Sequence, residues 1–188
     1  MPDDDAQLML DFQRGDSSAF DGLVRKYHVQ VINIIYRFLG QSPAAEDLAQ
    51  DVFLRVYQAA PGYRPTAKFS TWLYRIVVNH CLNYRRDTGR NPSVPMSALS
   101  TGEERNPLDI PVEADPAKGT EHDELRAAVI AALRALPIKQ RMAVILDKYQ
   151  GLSHREIGMV LRCSEKAVKS LLARARENLR HLLNRHIS

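Results

Sequence analysis

At 188 residues, with a formal charge of +4 and 45% hydrophobic side chains, the chain is long enough for one ordinary domain or two small ones. Its two cysteines, Cys81 and Cys163, lie far apart, which excludes a disulfide framework and zinc-ligand spacing and suits small apolar residues in a reducing compartment. The acidic start Met1-Pro2-Asp3-Asp4-Asp5 is unlike a secretory signal, and no apolar stretch approaches the ~20 residues that span a bilayer, so a soluble, cytoplasmic protein is expected.

Apolar residues recur at helical spacing almost everywhere outside residues 90–120, and no period-two run flanked by hairpin turns is present, which predicts an all-α fold. A short helix with Leu8, Met9 and Phe12 on one face precedes a long one beginning near Ser17 and Ser18. Phe20, Leu23, Val24, Tyr27, Val31, Ile34, Ile35 and Phe38 form the long helix's stripe, and Gly40 followed by Pro43 ends it. The next helix runs from about Pro43 to Ala60, with Leu48, Val52, Val56 and Tyr57 inward and Glu46, Asp47, Gln50 and Asp51 mainly on other faces. Pro61-Gly62 breaks it, and Tyr63 to Lys68 reads as a loop. A fourth helix spans about Ser70 to Arg86, with Leu73, Ile76, Val77 and Leu82 as candidate core.

Residues 91–120 hold five of the ten prolines among Ser, Thr, Gly and acidic residues, a linker composition. Two small helical domains, 1–90 and 121–188, are therefore expected on either side of a Pro-rich acidic linker. Beyond it, Glu121 to Leu136 reads as helix, with Leu125, Val129 and Leu133 on one face, and Pro137 opens another that ends near Gly151.

Charge comes in blocks: net −4 over residues 1–61, +5 over 62–90, −4 over 91–121 and +7 over 122–188. Clustered bases are the footprint of phosphate binding. The last block carries the sharpest local pattern. Ser153 and Glu156 form a capping box ahead of Ile157, Val160 and Leu161, and Arg162-Cys163 makes a tight turn. Ser164 then caps a longer helix with Val168, Leu171, Leu172, Ala175, Leu179 and Leu182 on one stripe. Cap, short helix, tight turn and basic helix make a helix-turn-helix, whose second helix enters the major groove. Lys166, Lys169, Ser170, Arg174, Arg176 and Arg180 stand off the stripe; Lys169, Ser170 and Arg174 are then candidates to meet bases, and Arg176 and Arg180 to meet phosphate or pair with acids of another protein.

The run Leu152-Ser153-His154-Arg155-Glu156-Ile157-Gly158, continued by Val168-Lys169-Ser170 and Ala173-Arg174-Ala175-Arg176, resembles the promoter-reading end of bacterial sigma-70 family sigma factors. The segment from Ala45 to Tyr57 resembles their polymerase-binding helix, and Phe69-Ser70-Thr71-Trp72-Leu73-Tyr74-Arg75-Ile76-Val77-Val78-Asn79 their promoter-melting helix. Size and two-domain plan are similar to the extracytoplasmic-function (ECF) group. The resemblance implies a non-enzymatic transcription initiation factor with no cofactor and no metal. Its partners would be core RNA polymerase, promoter DNA and an anti-sigma protein, often membrane-anchored. The acidic linker would thread toward the RNA path of the polymerase.

The resemblance also implies site residues. Asp47, Gln50, Asp51, Phe53 and Arg55 would bind the polymerase core. Tyr63, Arg64, Lys68, Phe69, Thr71, Trp72, Arg75 and Asn79 would hold melted DNA. Arg155, Lys166, Lys169, Ser170, Ala173, Arg174 and Arg176 would read the duplex. Physical chemistry agrees over residues 62–86, where five of thirteen aromatics interleave with Arg64, Lys68, Arg75, Arg85 and Arg86. Single strands are held by such stacking platforms with cations beside them. Trp72 and Tyr74 read as structural; Lys68, Phe69 and Asn79 read as DNA-facing. Arg162 stands in the turn where relatives often have Gly, which predicts a reshaped turn. Ala167 and Leu171 replace the usual Thr and Arg, so the bases read cannot be carried over. A regulator that binds operator DNA without polymerase explains residues 120–188 equally well, but not the acidic helix, the aromatic-basic segment and the linker together.

Overall fold

The computed structural model describes residues 3–40, 44–90 and 121–187, so the linker expected over 91–120 lies outside the described residues. Among the described residues there is no strand and no helix long and apolar enough to cross a membrane. Helix α1 spans Asp4–Gln13, α2 Ser17–Leu39, α3 Ala44–Ala59 and α4 Phe69–Arg90. They are followed by α5 at Glu121–Ala135, α6 at Ile138–Val144, α7 at His154–Leu161 and α8 at Glu165–Ile187. Between α6 and α7 the helix widens into a π turn over Ile145–Tyr149, where a single α-helix was expected to continue.

Helix α2 is the axis of the first half. Val31, Ile34, Ile35 and Phe38 on it are fully buried, with α1, α3 and α4 packed around them. It starts where the Asp16 carboxylate accepts from the Ser18 amide at 3.0 Å and stops at Gly40, whose φ of +80° lies in the left-handed region. The Asp3 carboxylate serves two helices at once. One oxygen accepts from the Ala6 amide of α1 at 2.7 Å and the other from the Phe69 amide at the start of α4, 3.3 Å away. Gln13 pins the turn after α3, donating to the Ala60 and Tyr63 carbonyls at 2.6 and 3.1 Å.

In the second half, Met142, Ile145, Leu146, Ile157, Val168 and Ala175 are buried, and the same hydrophobic cluster continues into α2 and α4 without a break. Two apolar residues depart from the expected inward faces. Tyr57 is 54% exposed, because its ring lies at the rim against Phe12 and Phe20. Leu125 is also 54% exposed.

The joint between the halves holds a buried cation. Arg141, 4% exposed, donates to the Phe38 carbonyl at the end of α2 at 2.6 Å and to the Leu136 carbonyl after α5 at 3.2 Å, with the Arg134 carbonyl as a further acceptor. These are carbonyls a helix end leaves unpaired, and a guanidinium is suited to gathering several of them.

Candidate nucleic-acid and polymerase interfaces

The helix-turn-helix is held by local bonds. The Ser153 hydroxyl accepts from the Glu156 amide at 3.3 Å, and one Glu156 oxygen accepts from the Ser153 amide at 2.8 Å and from its hydroxyl at 2.7 Å. Burial pushes the Glu156 carboxyl up, but hydrogen bonds from Lys68 and Ser153 outweigh it and hold the group at about 2. The expected change of turn shape does not occur: Arg162 itself takes the left-handed conformation, φ 54° and ψ 51°. The turn is fixed from below by Gly158, where an added Cβ would stand 2.8 Å from the Cys163 carbonyl oxygen. Ser164 accepts from the Ala167 amide at 3.2 Å and starts α8. Arg155, Lys166, Lys169, Ser170, Ala173, Arg174 and Arg176 are all exposed, and Lys169 pairs with Glu165 at 3.2 Å.

The start of α4 is built differently. Phe69, expected to touch DNA, is 1% exposed, and its ring packs against those of Tyr27, Tyr63 and Trp72. Tyr63 and Thr71 are each 4% exposed and likewise support the surface from inside. Burial and the charges of Asp3 and Asp5 push the Tyr63 phenol up to about 12. Trp72 is half-buried with its ring 4.9 Å from that of Tyr63, and Tyr74 is core, as read from sequence. Above this aromatic floor lies a cavity of about 260 Å³ lined by Arg64, Thr66, Ala67, Thr71, Trp72, Arg75 and Met159. Asn79 is exposed on the same stripe of α4, two turns beyond Trp72, and does not line the cavity.

On α3, Asp47, Gln50, Asp51 and Arg55 are exposed, joined by Leu54 at 55% exposure. Phe53 is 9% exposed and stacks at 6.1 Å on His28, so it holds the helix in place from inside. Between α3 and α4 lies a cleft of about 380 Å³ lined by Asp47, Asp51, Arg55, His80, Asn83 and Arg86, among others. His80, given no role by the sequence, is buried with no hydrogen bond to either ring nitrogen, 3.6 Å from Asp51. Arg141 was also missed: nothing local separates it from the exposed bases nearby.

These three surfaces belong to a recognisable class. Residues 23–91 match the Sigma-70 region 2 family, and residues 126–179 match the Sigma-70, region 4 family. The chain is 35% identical over 175 residues to the RNA polymerase sigma-H factor of Pseudomonas aeruginosa, covering 92% of this chain and 90% of that one. It is 33% identical over 174 residues to the ECF RNA polymerase sigma-E factor of Escherichia coli K12, covering 92% and 91%. Among solved structures, CnrH in complex with the cytosolic domain of CnrY superposes with a TM-score of 0.70 at 27% identity, covering 96% of this chain and 97% of that chain. The sigma factor RpoE of Bartonella quintana, solved with the anti-sigma factor NepR, has a similar fold: TM-score 0.68, 23% identity, 88% and 96% covered.

The chain belongs to the sigma-70 family of RNA polymerase sigma factors, in its ECF group. It is a transcription initiation factor that directs RNA polymerase to promoters, and the reading as a polymerase-independent operator binder is not favoured.

Proposed function

We propose that the chain divides promoter recognition between residues 1–90 and 121–188, joined by 91–120, and does so in the cytoplasm. The observation that carries this is the cavity at the start of α4, where Arg64 and Arg75 flank Trp72 on an aromatic floor. A base lifted from the duplex stacks on such a ring, worth ~1–3 kcal/mol, while arginines hold the backbone. Lys68 and Asn79 extend that surface, with Tyr63, Phe69 and Thr71 supporting it from inside.

Duplex recognition falls to Arg155, Lys166, Lys169, Ser170, Ala173, Arg174 and Arg176 around the exposed side of α8. The exposed acids Asp47 and Asp51, with Gln50 and Arg55, suit a basic protein surface better than DNA, and core polymerase is the partner assigned to them. An anti-sigma protein is the expected regulator, on the likeness to CnrH, whose structure contains CnrY.

The test is transcription in vitro with core polymerase, reading RNA 5′ ends. New start sites that depend on the protein are expected; their absence removes the proposal. Asp47→Ala with Gln50→Ala should weaken core binding about tenfold or more, as the loss of polar contacts at a protein interface does. Thermal unfolding should not change, because both side chains are exposed. Unchanged core affinity would reject α3 as the contact.

A further inference from the structure

The cavity at the start of α4 takes part of its wall from the loop of residues 63–68, which contributes Arg64, Thr66 and Ala67. Within the loop the Thr66 amide donates to the Arg64 carbonyl at 2.8 Å, and Pro65 fixes one φ. Both ends of the loop are tied to one distant helix. At its entry the Gln13 side-chain amide donates to the Ala60 carbonyl at 2.6 Å and to the Tyr63 carbonyl at 3.1 Å. At its exit the Asp3 carboxylate accepts from the Phe69 amide at 3.3 Å. Asp3 and Gln13 stand at opposite ends of α1, whose ten residues span about 15 Å. That helix is itself fixed to the core. The Asp5 carboxylate accepts from the Tyr27 hydroxyl at 2.7 Å, and the Phe12 ring lies 4.8 Å from that of Phe20. The family match begins at residue 23, so α1 lies ahead of it.

We infer that α1 is a strut for this loop, and that Asp3 and Gln13 are positioning residues that set which base the cavity accepts, acting through residues 63–68. The inference rests on the reading of the cavity as the site of a lifted base. A loop with loose ends samples many shapes and loses that freedom on binding, whereas one held at both ends presents its groups already in place. The gain falls on discrimination more than on affinity. Phosphate contacts hold any sequence, but telling bases apart needs groups at fixed distances from a base edge. The Tyr63 hydroxyl is buried without a partner among the described residues, which disfavours this seat for the ring. Gln13, bonded to the Tyr63 carbonyl, is placed to hold the turn against that cost.

Two substitutions cut the ties and spare the helix. Gln13 is exposed, and Gln13→Glu keeps its shape while exchanging the donor for a carboxylate that faces two carbonyl oxygens. Asp3→Asn keeps a residue type that caps a helix well, but leaves one acceptor oxygen where two are used, for Ala6 and for Phe69. Neither residue lines the cavity.

The experiment uses the full chain with core polymerase. A promoter that the wild type transcribes is randomised over its melted segment, each version is marked by a barcode in its transcript, and the RNA is counted by sequencing. The wild type should favour one base at one melted position by about tenfold, the size that a single wrong base commonly costs. Gln13→Glu and Asp3→Asn should each bring that ratio to about threefold or less, while total RNA falls by a smaller factor. Gln7→Glu adds the same charge on the exposed side of α1 and should keep the wild-type ratio. A merely structural role would lower the yield and leave the ratio alone. An unchanged ratio in either variant therefore overturns the inference, as does an equal loss in Gln7→Glu. Arg64→Ala with Arg75→Ala separates the two layers: if neither yield nor ratio responds, the reading of the cavity is refuted. If that pair flattens the ratio and the α1 variants do not, only the strut is refuted.

Discussion

The two regions proposed to face DNA are built in opposite ways. The helix-turn-helix is assembled from neighbours in sequence: a cap three residues from its partner, a turn closed by Gly158 and Cys163, and bases lifted into solvent on one helix. The start of α4 is assembled from afar. Its first amide is held by Asp3, its floor includes Tyr27, and the turn before it is pinned by Gln13. A locally built surface tolerates change elsewhere in the chain, whereas one built from distant parts is sensitive to the packing of the whole.

The strongest way to break that contrast is at the joint. Arg141→Met should cost about 3 kcal/mol in chemical denaturation, since it leaves several buried carbonyls without a donor. A loss under about 1 kcal/mol would mean those carbonyls find water instead. Gly158→Ala should cost about 2 kcal/mol by forcing its Cβ against the Cys163 carbonyl, the usual size of an overpacking penalty. Duplex binding should fall with it while single-strand binding holds, and loss of both would show that the two surfaces share one folding unit. Arg162→Gly acts in the opposite direction, relieving a left-handed arginine and stabilising by up to about 1 kcal/mol. No gain in melting temperature would mean the Arg162 side chain offsets its own backbone.

The smallest expected effect is on pH. Burial and the charge of Arg55 hold His80 below its ordinary 6.5, against the pull of Asp51. The folded state therefore favours the neutral ring. Its contribution to stability is full above pH 6.5 and is lost as pH falls through the lower folded value. The denaturation midpoint should drop between pH 7.5 and 5.5, and the drop should shrink in His80→Gln. An equal drop in that variant would assign it to other groups.

This contrast also explains what was legible in the sequence. The helix-turn-helix could be read residue by residue because caps, turns and a 3.6-residue stripe are local signals. Arg162 is the exception: a left-handed arginine costs only about 1 kcal/mol, which the turn absorbs without changing shape. At the start of α4 the helix could be read from the sequence, but not which of its aromatic side chains are buried. Whether Phe69 or Trp72 faces outward depends on Tyr27 and Tyr63, which the sequence places far away. Tyr57 and Leu125 sit on correct helical stripes yet each is 54% exposed, Tyr57 at a rim beside Phe12 and Phe20, and periodicity does not encode how far a neighbour reaches. Arg141 and His80 are hidden for the same reason: burial of a polar side chain is a property of the assembled joint.

The π turn over Ile145–Tyr149 sets the azimuth at which its helix ends. In an α-helix each residue advances the azimuth by about 100°, so the widened turn absorbs a surplus residue and re-indexes the helix. With that offset Tyr149 arrives over Arg37 and Gln150 opposite Tyr74. Deleting one residue within the π turn would remove that surplus and turn both away, as a gear slipped by a single tooth drives nothing.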